Sequence, residues 1–236
     1  MRKSSKTKIV RAAQELFREK GYAGTSMRDI GERVGLLKAS IYSHFPSKDA
    51  LIPEVLDLTF DQIFAEQTAT DDWAADYKAL LDKLADTFIE VKRCVGLHLA
   101  YGMHEETESA RLVTNFFGRC HDHLRKVLER DVPADRADSF AADTLAAIEG
   151  ATLWLVTRND ASCMTRTLAL LHEMTDALAY QIDPDATARA AALHSGAGCI
   201  TLEEKRLVER VVELERTTSN LMGAIAGQIE AEACFK

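Results

Sequence analysis

The sequence predicts an all-α protein, on three observations. Apolar residues recur at helical spacing along most of the chain, with no alternating strand pattern and no internal repeat. Gly21, Gly35, Pro46 and Pro133 fall at the ends of those runs. Capping signatures open several of the runs. The expected arrangement is an N-terminal three-helix unit containing a helix-turn-helix (1–47), a larger helical body (48–236), and an extra C-terminal helix within 184–236.

The first helix is expected at about Lys6–Lys20, with Ile9, Ala12, Ala13, Leu16 and Phe17 on one face and Gly21 closing it. Arg2, Lys3, Lys6 and Lys8 precede or open it, either as a frayed solvated end or as an arm that reaches phosphates. The second helix opens at Ser26, with Asp29 three residues on as a capping box, and buries Met27, Ile30 and Val34. Gly35 supplies the positive φ needed for the chain to reverse. The third helix, about Lys38–Phe45, turns Ile41 and Phe45 inward and leaves Lys38, Ser40, Tyr42, Ser43 and His44 on or near the outside. Pro46 stops it, and Ser47 can cap the next helix, with Asp49 well placed at its N-terminus. That fourth helix is expected over about Lys48–Gln67, with Pro53 some six residues in and a kink near Asp49.

In the body, Trp73 to Asp76 reads as a connection, followed by a stripe of Tyr77, Leu80, Leu81, Leu84, Phe88 and Val91. A short piece, Leu97–Met103, lies between Gly96 and Gly102. The next helix starts near Glu105, Glu106 and Glu108, with Leu112, Phe116, Phe117, Cys120, Leu124 and Val127 as its apolar face, and ends by Pro133. Two strongly apolar helices follow, Asp138–Arg158 and Ser162–Ile182, separated by an Asn159-Asp160 turn. Their stripes include Phe140, Leu145, Ile148, Leu153 and Trp154, then Met164, Leu168, Leu171, Met174 and Leu178. Beyond Pro184, Thr201 with Glu204 forms a capping box for a last helix.

Charge is divided along the chain. The formal net charge is −8, yet residues 1–50 hold 11 Lys and Arg against 5 Asp and Glu, a net of +6. The rest carries 18 basic and 32 acidic residues, a net of −14. A basic head on an acidic body suits a protein that touches phosphates with one end. No apolar run long enough for a signal peptide or a membrane span follows Met1-Arg2-Lys3, so a cytoplasmic protein with no membrane partner is expected. Five widely spaced cysteines with no C-x-x-C pair make neither a disulfide framework nor a zinc finger.

Gly21-Tyr22, Thr25-Ser26, Asp29-Ile30, Gly35, Ile41-Tyr42, His44-Phe45 and Lys48 together resemble the N-terminal signature of the tetracycline-repressor (TetR) family of bacterial transcriptional regulators. The resemblance runs from about Lys8 to Leu56. It implies a homodimer on a palindromic operator in double-stranded DNA, with a ligand-binding and dimerisation domain behind the head. Leu37 departs from the pattern, standing where the family often has a small hydroxyl residue, and removes the usual cap of the recognition helix. AAIEGATLWLVTRND resembles the penultimate helix of the family's effector domain, which with its successor usually builds the dimer's four-helix bundle; Ala147, Gly150 and Ala151 there permit close approach.

By that resemblance Thr25, Ser26, Tyr42, His44 and Lys48 fall where phosphates are held, and Lys38, Ala39, Ser40 and Ser43 where the recognition helix faces bases. For the body, Phe88, His98, Tyr101, His104, Phe116, Phe117, Cys120 and Trp154 are candidate effector-pocket residues, each equally readable as core. Their composition suggests a small lipophilic or aromatic effector, and no cofactor is called for. An alternative uses Cys94, His98, His104, Cys120 and His123 to sense a metal, haem or oxidant, since thiolate and imidazole at i, i+3 and i, i+4 spacing share a helix face. A helical enzyme is a distant reading, because G-x-S-x-G, H-E-x-x-H and phosphate-cradling glycine loops are absent from the sequence.

Overall fold

The structure, a computed structural model, describes residues 2–65, 69–101 and 107–183, with no side-chain detail for residues 2–4. Among these residues every regular element is helical. The chain divides into two compact units, Met1–His172 and Glu173–Lys236. The Thr201–Glu204 capping box, Cys199, Cys234 and His104 lie outside the described residues.

Helix α1 (Arg2–Lys20) begins earlier than its apolar pattern, which starts only at Ile9. Ile9, Ala13, Leu16 and Phe17 are fully or almost fully buried. Gly21 N–H closes the helix on Phe17 O at 3.1 Å. Helix α2 (Met27–Val34) carries the expected box: Asp29 N–H donates to Ser26 Oγ, and Ser26 N–H donates to the Asp29 carboxylate at 2.8 Å. Donation from the Ser26 hydroxyl and N–H, with Lys20 beside it, holds the Asp29 carboxyl far below the ordinary range. Gly35, at φ 67°, ends α2 in the left-handed region, where an L side chain is strained.

Helix α3 (Lys38–Tyr42) is shorter than the sequence suggested. Leu37 stands at its N-cap with no side-chain hydrogen bond, and the turn breaks at Ser43, ahead of Pro46. Helix α4 (Ile52–Phe64) corrects the expected kink. A single 3₁₀ turn, Asp49–Leu51, precedes it, so Pro53 falls in the helix's first turn, where its missing N–H costs nothing. Ala50 N–H still donates to Ser47 Oγ at 3.2 Å, as the cap required.

The body comprises α5 (Trp73–Val91), α6 (Val95–Tyr101), α7 (Glu108–Leu128), α8 (Ala134–Arg158) and α9 (Ser162–Ile182). Trp73 opens α5 rather than a connection, because Asp72 accepts from Ala74 and Ala75 N–H at 3.0 Å each and caps the helix. Tyr77, Leu80, Leu81, Leu84 and Phe88 are buried as expected, and Tyr77 bonds Thr144 of α8 at 2.8 Å. Helix α7 is rotated slightly from the expected face: Val113 and Leu128 are buried in place of Leu112 and Val127. Helix α8 starts one turn earlier than expected, with Pro133 as its N-cap. Leu153 and Trp154, expected in its buried stripe, are exposed.

Helices α1, α2 and α3 pack on one another, α4 joins them to the body, and α7 and α8 form the body's largest pairing. Gly96 lets α6 approach α7, since a Cβ there would sit 2.9 Å from the rings of both Phe116 and Phe117. Gln14, buried in α1, donates to Thr59 Oγ1 (2.7 Å) and Gln62 Oε1 (2.8 Å) of α4, so the head's first helix is tied to the connecting helix by a satisfied polar contact.

Candidate nucleic-acid interface and body cavity

The outer face of the α2–turn–α3 unit carries Leu37, Lys38, Ala39, Tyr42 and Ser43, all exposed, with Ser40 and His44 half-buried at its edge. Ile41 and Phe45 anchor the opposite side. Lys38 Nζ lies 5.7 Å from the Tyr42 ring centroid, and Ser43 Oγ donates back to Ser40 O at 2.8 Å. The face is therefore a short row of small or hydroxyl side chains flanked by an ammonium and a phenol.

Two of the expected phosphate ligands are placed otherwise. Thr25 is 2% exposed, and its hydroxyl donates to Gly21 O (2.8 Å) and Leu16 O (3.2 Å), closing the α1–α2 turn. Lys48 Nζ donates to Tyr22 O (2.6 Å) and Thr25 O (2.7 Å) and lies 4.0 Å from the Tyr22 ring centroid. Burial lowers the proton affinity of that ammonium. The Tyr22 hydroxyl in turn bonds Asp49 and, with burial, its ionisation is pushed up. In this conformation Thr25 and Lys48 fasten the turn that presents α3. Ser26 is exposed but engaged in its capping box.

Several cations of the head are paired within the head. Arg33 bridges Glu15 (3.2 Å) and Glu19 (2.8 Å), Lys20 meets Asp29 at 3.2 Å, and Arg28 meets Glu32 at 2.7 Å. Such exposed pairs contribute little to stability, and they moderate the field of a head with a net of +6.

In the body, a narrow void of about 20 Å³ is lined by Phe88, Phe116, Phe117 and Cys120. A separate open groove of about 430 Å³ lies between α6 and α8, lined by Leu97, His98, Tyr101, Leu153 and Val156. Arg93, Cys94 and Glu149 border both spaces. Six of the eight candidate effector residues thus fall along this pair of spaces, with Tyr101 86% exposed at the rim. Trp154 does not join them. It is 40% exposed, with the Arg158 guanidinium 4.8 Å over its ring. His104 lies outside the described residues.

The cysteines and histidines of the sensor reading do not converge. Among the described residues no group of three His, Cys, Asp or Glu side chains is placed to hold a metal ion. His123 packs on Phe64, ring centroids 4.5 Å apart, while Cys120 faces the void. Burial pushes the Cys120 thiol up to about 12 and Cys94 well above its usual value, away from the thiolate a sensor needs.

Three polar groups outside the candidate effector set border these spaces: Arg18, Arg93 and Glu149. Arg93 Nη1 donates to the main-chain carbonyls of Arg18 (3.0 Å) and Glu19 (3.1 Å), the last turn of α1. Arg18 itself reaches from α1 to line the void. Glu149 accepts from the Cys94 thiol, and burial raises its carboxyl to about 7. In the sequence Glu149 is a lone acid inside the apolar run AAIEGATLWLV.

Comparison with known proteins gives a consistent answer. A family model described as bacterial regulatory proteins, tetR family, matches residues 9–55. The chain is 31% identical over 110 residues to the HTH-type transcriptional repressor KstR2 of Rhodococcus jostii, covering 47% of this chain and 52% of that one. It is 28% identical over 148 residues to the HTH-type transcriptional regulator YuxN of Bacillus subtilis, covering 60% of this chain and 50% of that one. The chain thus spans about half the length of these curated relatives. In fold it is similar to a TetR-family regulator from Agrobacterium tumefaciens, with TM-score 0.63, 24% identity, and coverage of 74% of this chain and 98% of that one. A TetR regulator from Legionella pneumophila superposes with TM-score 0.64 at 23% identity, covering 71% and 95%. Residues 9–55 thus form a capped helix-turn-helix head of the tetR type, carried on an all-helical body with the fold of TetR-family regulators.

Proposed function

We propose that the protein is a homodimeric, ligand-responsive repressor that binds a palindromic operator through α3 and is released by a small molecule in its body. One observation carries the reading: a basic helical head whose exposed α3 face is built of Lys38, Ala39, Ser40, Tyr42 and Ser43. Short side chains let the helix sit deep in the major groove, while the ammonium and hydroxyls reach base edges and phosphates. Ser26 and His44 lie at the flanks for backbone contacts. Thr25 and Lys48 serve the interface by fixing the turn, and Lys48 adds positive potential beneath it. The relative named a transcriptional repressor supports the sign of regulation.

The division of labour falls at residue 47, with the head before it and the ligand-binding and dimerising body after it. Two heads paired by a two-fold axis contact half-sites ~34 Å apart, or a multiple of that spacing. Ligand response runs through the spaces bordered by Arg93. A molecule that moves Arg93 or Arg18 shifts the end of α1, and with it the head, so differential affinity for two body conformations becomes differential operator affinity. The apolar lining favours a lipophilic or aromatic effector; a similar fold from Saccharomonospora viridis was solved in complex with choline.

The test is a fluorescence-anisotropy titration of the purified protein against inverted-repeat fragments from upstream of its own gene. Saturable binding of one dimer per fragment, steeply weakened by salt, is expected. A monomer in solution, or equal affinity for scrambled fragments, discards the reading.

A further inference from the structure

The Glu149 carboxylate is the unusual group in the body. Its Oε2 is shielded from solvent and has no hydrogen-bond partner. A buried carboxylate is held at high cost unless paired. Two arginines border the same space, yet neither answers it. Arg93 Nη1 is committed to the carbonyls of Arg18 and Glu19, and Arg18, desolvated at the void, makes no hydrogen bond to Glu149 Oε2. The neighbour that Glu149 does have, the Cys94 thiol, is neutral.

The surroundings specify the rest of a ligand. Glu149 opens onto the groove of about 430 Å³, whose walls are Leu97, Leu153 and Val156, with the Tyr101 ring at its rim. That volume lies in the range of small-molecule sites. Aliphatic walls suit a hydrocarbon body, and an aromatic face is attractive to an organic cation. His98, on the same wall, is biased toward its neutral form by burial and by Arg93, so it adds no competing positive charge near neutral pH. The opposite choice, an anionic head on Arg18 Nε, which also lacks a partner, has only the narrow void of about 20 Å³ to occupy.

We propose that the α6–α8 groove binds a lipophilic amine, its protonated nitrogen pairing with the Glu149 carboxylate and its hydrocarbon body lying along Leu97, Leu153 and Val156. The proposal rests on the ligand-responsive reading given above and names the chemical class of effector. Binding pairs the lone carboxylate and places a new cation beside Arg93, the residue that holds the end of α1.

The experiment compares three probes of one length: 4-phenylbutylamine, 4-phenylbutanol and 4-phenylbutyrate. Each is titrated calorimetrically into the full chain and into its Glu149→Gln variant, with circular-dichroism melts to establish folding. The amine is expected to bind wild type best, and Glu149→Gln to weaken it roughly tenfold or more while changing the alcohol little. Leu97→Trp, which enlarges the α6 wall of the groove, is expected to weaken amine and alcohol alike. Equal or tighter binding of the acid, no amine binding at millimolar concentration, or undiminished amine affinity in a folded Glu149→Gln protein overturns the proposal. Operator binding is measured separately without probes. Failure there sinks the regulator reading, whereas amine binding without operator release leaves the site standing and removes its role as inducer.

Discussion

Arg93, at the junction of α5 and α6, donates to the main-chain carbonyl of Arg18 in the last turn of α1, at 3.0 Å. The bond spans 75 positions in sequence and joins the wall of the body cavity to the first helix of the head. It caps α1 with a cation from elsewhere in the fold, which is favourable at a helix C-terminus. A second tie runs from Arg119 of α7 to Asp57 of α4 at 2.6 Å, but that pair is exposed and weak.

Replacing Arg93 by alanine is therefore expected to uncouple the two ends of the molecule. Operator affinity without effector stays within about threefold of wild type, since α3 is untouched, while the ligand's effect on that affinity falls toward zero. Stability drops by about 1–3 kcal/mol from the lost charged hydrogen bonds. Parallel operator titrations with and without effector, alongside a urea melt, measure both.

Lys38 and Lys48 separate two roles that look alike in the sequence. Lys38→Ala is expected to weaken operator binding and relax specificity at the base pair it faces, leaving the melting temperature unchanged. Lys48→Met is expected to lower stability by about 1–3 kcal/mol, because the Tyr22 and Thr25 carbonyls lose their donor. Binding to operators changed at that base pair, with a melt for each variant, distinguishes the two.

Glu149 gives stability a pH signature. Its carboxyl is raised to about 7 in the folded chain from an ordinary 4.5, so between those values the folded state holds a proton that the unfolded state has lost. Stability is accordingly greater at the acid end of that window and falls as pH rises through it, by up to roughly 3 kcal/mol from this group alone. Glu149→Gln is expected to flatten that component. Urea titrations of both proteins across the window read the difference.

Gly96→Ala is expected to cost about 1–3 kcal/mol, because the methyl group must displace the Phe116 and Phe117 rings. Those rings line the void, so effector affinity is expected to change while operator affinity without effector does not.

The head's helices and caps were legible in the sequence, but the places of Thr25 and Lys48, bonded to carbonyls of the α1–α2 turn, were not. Ser26 with Asp29 and the glycine at 35 are local devices, and each acted as its spacing required. The body was legible as helices but less well as faces. Helix α7 turned Val113 inward instead of Leu112, and α8 left Trp154 exposed, because several apolar rows run along each helix and only packing selects one. Pro53 misled for a related reason: where a helix starts decides whether a proline breaks it, and the 3₁₀ turn at Asp49–Leu51 was not legible in the residues. The tie from Arg93 to α1 depends on segments distant in sequence, so no local pattern announces it, whereas Glu149 was marked only by being a lone acid in an apolar run.

Leu37 stands 83% exposed at the leading edge of α3, with a side chain that makes no cap. An isobutyl group can neither give nor take a hydrogen bond, so against a base pair its natural complement is the 5-methyl of thymine. On the operator-binding reading proposed above, half-sites with thymine at the step facing Leu37 are expected to bind more tightly, and exchanging that base for uracil, which deletes the methyl and nothing else, is expected to abolish the preference.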